Sequence, residues 1–157
     1  MTTATLRMFE CLETLPVPAP AERQQTCVLL IEDSEDSMLL VKYALEEYGN
    51  GHYVMEWASG LSEGIERLGQ GGVDIVLLDL GLPESSGAAS YTRIIGIAPE
   101  VPVVILTGDS REQTEFAVTT YGAEDYLVKE EVSGVLLLQA IRGAIYRHSN
   151  RIRMRLS

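Results

Sequence analysis

Asp74-Ile-Val-Leu-Leu-Asp-Leu-Gly-Leu-Pro83 is the stretch on which the fold turns. Its four apolar residues, Ile75 to Leu78, leave no face for water, so they read as a central strand covered on both sides. The run ends abruptly on a carboxylate, Asp79. On either side, Val28-Leu-Leu-Ile31 and Val103-Val-Ile-Leu106 have the same character and the same reading. Tyr53 to Trp57 is more mixed, with Glu56 among aromatics and Val54, and suits an edge strand. Tyr126-Leu-Val128 is the fifth.

Helical patterns separate these runs. Ser34 is a fitting N-cap for the first helix, and Glu35 and Asp36 suit its positive end. Met38, Val41, Leu45 and Tyr48 then form one apolar stripe, halted at Gly49. A second helix begins near Leu61 and presents Leu61, Ile65 and Leu68 before the glycines at 69, 71 and 72. A third is expected from about Ser86 to Ile97, a fourth from Ser110 to Tyr121 with Gly122 as its stop, and a fifth from Val132 to about Asn150. Strand and helix in alternation give an α/β fold of (βα)5 type, a parallel sheet with crossover helices on both faces. The chain divides into a flexible N-terminal segment (1–25), one folded domain (26–150) and a basic C-terminal tail (151–157). In the first segment Pro16-Val-Pro-Ala-Pro20 favours an extended linker, while Leu6, Phe9, Leu12 and Leu15 could line a short docking helix or belong to a frayed end.

Composition narrows the classes of function. The 157 residues are 46% hydrophobic and 22% charged, which is globular and long enough for one buried core. The net charge of −11 argues against general affinity for nucleic acid or anionic lipid. All 23 acidic residues and seven of the 12 basic ones precede residue 142, so that part carries −16 and the last sixteen residues +5. Arginines strung along a helix end ordinarily solvate it and suit its dipole. Cys11 and Cys27 have neither disulfide-framework nor metal-ligand spacing, and Cys27 reads as a buried thiol. A cytoplasmic setting is expected, with no signal peptide and no membrane span.

In an open parallel sheet, ligands bind beyond the carboxyl ends of the strands. There the sequence offers Glu32 and Asp33 after the first strand, Asp79 after the third, Thr107 and Gly108 after the fourth, and Lys129 after the fifth. Each alone would pass for a cap or a turn residue. Four strand ends bearing such groups form a set. Three carboxylates drawn together repel by about 4 kcal/mol per pair at about 4 Å and an effective dielectric of about 20. A hard divalent cation relieves that repulsion, and oxygen-only ligands suit Mg²⁺. With Lys129 as a further cation and Thr107 as a hydroxyl donor, Asp79 is placed to attack a phosphoryl group.

From about Thr26 to Arg147 the chain resembles the response-regulator receiver family. Leu29-Leu-Ile-Glu-Asp33 is similar to its acidic pocket, the stretch from Asp74 to Pro83 with Gly87 to its phosphoacceptor strand and loop, Val103-Val-Ile-Leu-Thr-Gly108 to its switch strand, and Gly122-Ala-Glu-Asp-Tyr-Leu-Val-Lys129 to its last strand. The resemblance implies a flavodoxin-like, doubly wound sheet of strand order 2-1-3-4-5. It also implies phosphorylation of Asp79 by a histidine kinase, a phosphotransfer protein or a small phosphodonor. Mg²⁺ would be held by Asp33, Asp79 and the Gly81 carbonyl, with Glu32 acting through water. Lys129 would pair with the phosphoryl group, and Thr107 and Tyr126 would move together as the switch, although Tyr126 also suits plain core packing. Gly108 would leave the pocket open. Two departures stand out: Glu130 follows the lysine where the family usually has proline, and Glu32 replaces the commoner aspartate. His52, opening an edge strand, and His148, among arginines at a helix end, do not suit a phosphodonor role.

Such a module would not be an enzyme in the ordinary sense; it would catalyse only its own phosphorylation and slow dephosphorylation. Output is expected by contact with a downstream protein or in a homodimer. Val135-Leu-Leu-Leu138, Ile141 and Ile145 offer more apolar surface than one stripe needs, which suits either core packing or a face formed by the fourth helix, fifth strand and fifth helix. Two other readings use the same residues. One is a receiver-shaped binding module that works without phosphate. The other is a metal-dependent phosphohydrolase with Asp79 as nucleophile.

Overall fold

The computed structural model describes residues 25–83, 87–108, 124–129 and 132–156. Five parallel strands form one sheet in the order β2-β1-β3-β4-β5. They are β1 (Thr26–Ile31), β2 (Tyr53–Ala58), β3 (Ile75–Asp79), β4 (Val103–Thr107) and β5 (Asp125–Val128). Helices α1 (Glu35–Tyr48), α2 (Leu61–Gly69), α3 (Gly87–Ile97) and α4 (Gly134–Leu156) connect or follow them. The fourth helix expected from the sequence, at 110–121, lies outside the described residues, so α4 is the expected fifth helix.

The apolar runs behave as strands of a doubly covered sheet because their side chains alternate between two cores. Leu29, Ile31, Val76, Leu78, Val103 and Ile105 face one core with Leu61, Leu68, Tyr91 and Ile94 of α2 and α3. Val28, Leu30, Ile75, Leu77, Val104 and Leu106 face the other with Val41 and Leu45 of α1 and Leu137, Leu138 and Ile141 of α4. β2 is the edge strand expected from its mixed composition. Ser34 caps α1, its side-chain oxygen accepting the Ser37 N–H. Tyr48, by contrast, leaves the α1 stripe half exposed. Its ring lies where a side chain on Gly134 would stand, so the start of α4 approaches α1 closely only because residue 134 is glycine.

Two expectations are corrected. The last helix does not stop near Asn150 but continues to Leu156, which brings Arg151, Arg153 and Arg155 of the expected tail into it. Some of its basic side chains also do more than solvate an end. The carboxylate of Glu124, only 2% exposed, is met by Arg151 and by His148 Nδ1 at 3.0 Å, with Arg147 Nε at 3.8 Å. The other His148 nitrogen lies 3.1 Å from the Pro99 carbonyl, so the helix is fastened to both β5 and the loop before β4. The second correction concerns Cys27. Its thiol is half-buried and donates to Glu56 Oε2 at 3.0 Å, and Glu56 in turn pairs with Arg67 at 2.8 Å. Burial first, and the Glu56 carboxylate second, push the thiol up to about 12.

Candidate functional site

Strand register assembles the site. Ile31 lies opposite Leu78, Asp79 opposite Leu106, and Thr107 opposite Val128. The next residues along each strand therefore emerge together at the carboxyl edge, where the chain leaves the hydrogen-bonded ladder. Glu32, Asp33 and Asp79 each place a carboxylate oxygen there, all within 4.8 Å of one another. Glu32, Asp79 and Thr107 are buried at 0%, 4% and 1% exposure, whereas Asp33 is open to solvent.

One lysine and two main-chain N–H groups answer the buried charges. Lys129 Nζ lies 2.5 Å from Glu32 Oε2 and 3.5 Å from Asp79 Oδ1. The Ser34 N–H donates to Glu32 Oε1 at 3.1 Å, and the Gly81 N–H to Asp79 Oδ1 at 3.0 Å. Lys129 is itself held by its main chain, donating its N–H to the Thr107 carbonyl at 2.8 Å. Burial pushes the Glu32 carboxyl up to about 7 and the Asp79 charge adds to that, against the opposing pull of Lys129 and the Ser34 N–H. One lysine thus serves two carboxylates, leaving the cup short of positive charge.

Glu32, Asp33, Asp79, Thr107 and Lys129 all arrive at this edge, as the strand ends require. Gly81 joins them through its N–H. Tyr126, half-buried on β5, packs against the core shared with α2 and α3, on the sheet face of its register partner Ile105. Glu130 lies outside the described residues. Sequence reasoning missed Trp57. Its indole N–H donates to the main-chain carbonyl of Glu32 at 2.6 Å, while the Glu32 N–H donates to the Ala58 carbonyl at 3.0 Å. An aromatic one residue from the end of β2 was the available signal, since that strand shares the same carboxyl edge.

Chemically, the cup presents a hard, all-oxygen donor set beside a lysine and a buried threonine, which fits a divalent cation such as Mg²⁺. Among the described residues, no helix is long and apolar enough to cross a membrane.

Comparison with known proteins agrees with this geometry. The family model for the response regulator receiver domain matches residues 28–142. The KDP operon transcriptional regulatory protein KdpE of Escherichia coli is 37% identical over 125 residues, covering 79% of this chain and 53% of that protein. The chain thus spans about half the length of that relative. A two-component response regulator of Oryza sativa subsp. japonica is 31% identical over 120 residues, covering 73% of this chain and 94% of that protein. Among solved structures, a response regulator receiver domain protein from Clostridium thermocellum superposes with a TM-score of 0.69 at 28% identity, over 79% of this chain and 97% of that one. Sheet order, the acidic edge and the matched span agree, and the chain belongs to the response regulator receiver domain family of two-component signalling.

Proposed function

We propose that Asp79 is the phosphoacceptor of this receiver domain and that Glu32, Asp33, Thr107 and Lys129 serve its phosphorylation. The observation that carries this reading is the buried Asp79 carboxylate, 3.5 Å from a lysine ammonium and within 4.8 Å of two further carboxylates. At 4% exposure Asp79 stands crowded against two further carboxylates, a repulsion that a bound cation and phosphoryl chemistry account for.

In the proposed reaction an Asp79 carboxylate oxygen attacks the phosphorus of a phosphohistidine on a kinase or phosphotransfer protein. The new O–P bond forms as the P–N bond breaks, and the electron pair returns to the leaving imidazole. Lys129 stabilises charge on the phosphoryl oxygens, and Thr107 donates its hydroxyl to one of them. Asp33, Asp79 and the Gly81 carbonyl would hold Mg²⁺, with Glu32 acting through water. Bound there, that ion supplies a second positive charge to the same oxygens. Later attack by water on phosphorus releases phosphate and restores the carboxylate. Lys129 must loosen from Glu32 to engage the phosphoryl group, and Thr107 and Tyr126 relay the change along β4 and β5 toward a downstream protein. The compartment we infer is the cytoplasm.

Incubation with Mg²⁺ and acetyl phosphate, repeated with a histidine kinase as donor, tests the assignment by intact mass. The expected result is one phosphoryl group on the wild type and none on Asp79→Asn. Phosphorylation that survives Asp79→Asn, or none with either donor, overturns it.

A further inference from the structure

We propose that α1 and α4 form a two-fold, self-complementary interface between two copies of this chain. The inference is independent of which residue is phosphorylated, and the face differs from the one expected from the sequence. On α1, Asp36, Leu40, Tyr43 and Glu47 recur four, three and four residues apart, so they share one stripe. All four are exposed, Leu40 at 67% and Tyr43 at 57%. On α4, Val135, Arg142 and Tyr146 recur seven and four apart and share another stripe, with Val135 at 50% and Tyr146 at 69% exposure. The two helices pack side by side, so the stripes lie together on one side of the molecule. Between them runs a groove of about 310 Å³ lined by Leu40, Tyr43, Tyr48, Val132 and Leu137. Apolar side chains of this size seldom cluster in water without a partner.

Charge selects the partner. On the exposed stripes themselves, α1 presents Asp36 and Glu47 whereas α4 presents Arg142, whose Nε donates to the Tyr53 hydroxyl at 3.1 Å, while Arg147 and Arg151 turn away to Glu124. A partner of uniform sign would be drawn to one helix and repelled by its neighbour. A second copy turned about a two-fold axis lays α1 on the partner's α4 and α4 on the partner's α1, so opposite charges meet twice. Glu47 then faces Arg142 of the partner subunit, and Tyr146 is a knob for the groove.

Sedimentation equilibrium of the full chain across the micromolar range tests this. Expected is a dimer that weakens with salt. Glu47→Arg and Arg142→Glu each weaken it about tenfold, since every substitution acts twice and replaces attraction by repulsion. The double variant Glu47→Arg/Arg142→Glu restores association to within about threefold of wild type, which also controls for folding. A monomer throughout overturns the proposal and leaves the face to a different partner or to residues 1–24 of the same chain. A dimer indifferent to both single variants, or unrescued by the double variant, overturns it equally.

Discussion

Trp57, near the end of the edge strand β2, donates its indole N–H to the main-chain carbonyl of Glu32 at 2.6 Å. With the Glu32 N–H bonded to the Ala58 carbonyl, the turn that leads from β1 to α1 is tied to β2 on both its polar main-chain groups. The acidic loop is therefore positioned by a strand that contributes no ligand of its own.

The chain's single tryptophan should report on the cup. Titration with Mg²⁺ is expected to change Trp57 emission in the wild type and not in an Asp33→Asn/Asp79→Asn variant. Trp57→Phe keeps an aromatic ring, though a smaller one, and removes the donor, which should cost about 1 kcal/mol of stability and weaken Mg²⁺ binding a few-fold by calorimetry. Unchanged emission on metal binding would separate the indole from the site.

The raised Glu32 carboxyl makes apo stability depend on pH. Its pKa is about 7 in the folded protein against an ordinary 4.5, so the folded state holds this proton more tightly. The stabilisation is complete below about 4.5 and is lost as pH rises through about 7, up to about 3 kcal/mol in all. Urea unfolding without metal, compared at the two ends of that window, should show a larger loss for wild type than for Glu32→Gln. Equal losses would remove Glu32 as the source.

Asp79→Asn should stabilise the metal-free protein while abolishing its proposed reaction. Asparagine keeps an acceptor for the Gly81 N–H and removes one of two carboxylates that share Lys129. A gain of about 1 kcal/mol is expected by denaturant midpoint, the usual cost of a functional charge cluster in a buried site. A loss of stability would mean that Asp79 is held chiefly as a structural ion-pair partner.

Glu124→Ala leaves Arg147, His148 and Arg151 without their buried counter-charge. Destabilisation of about 1 kcal/mol is expected, because Arg147 and Arg151 are about half exposed and turn to water once the carboxylate is gone. Hydrogen exchange should show the protection loss concentrated in the last turns of α4, with β1 and β3 retaining theirs. Uniform loss across the sheet would instead place Glu124 in the global folding core.

Much of this molecule was legible along the chain. The unbroken apolar runs at Ile75–Leu78 and Val103–Leu106 meant strands covered on both faces, and the mixed Tyr53–Trp57 meant an edge. The first polar residue after each run had to surface at one rim, because parallel strands in register end together. Glu32, Asp79, Thr107 and Lys129 follow from that alone. Ser34 was readable too, as a local cap needs only its own helix.

Other features belong to the assembled fold. That Lys129 stands closer to Glu32 than to Asp79, that Trp57 reaches back to the β1 turn, and that Glu124 draws the arginines of α4 down onto β5 all depend on how closely separate elements approach. No local period encodes such distances. The helix boundary shows the same division. Composition placed the end of the last helix near Asn150, but buried pairing with Glu124 anchors it as it runs on to Leu156. Periodicity and strand ends determined which groups meet. Packing across elements far apart in the chain decided which of them pair, and so which charge is left wanting.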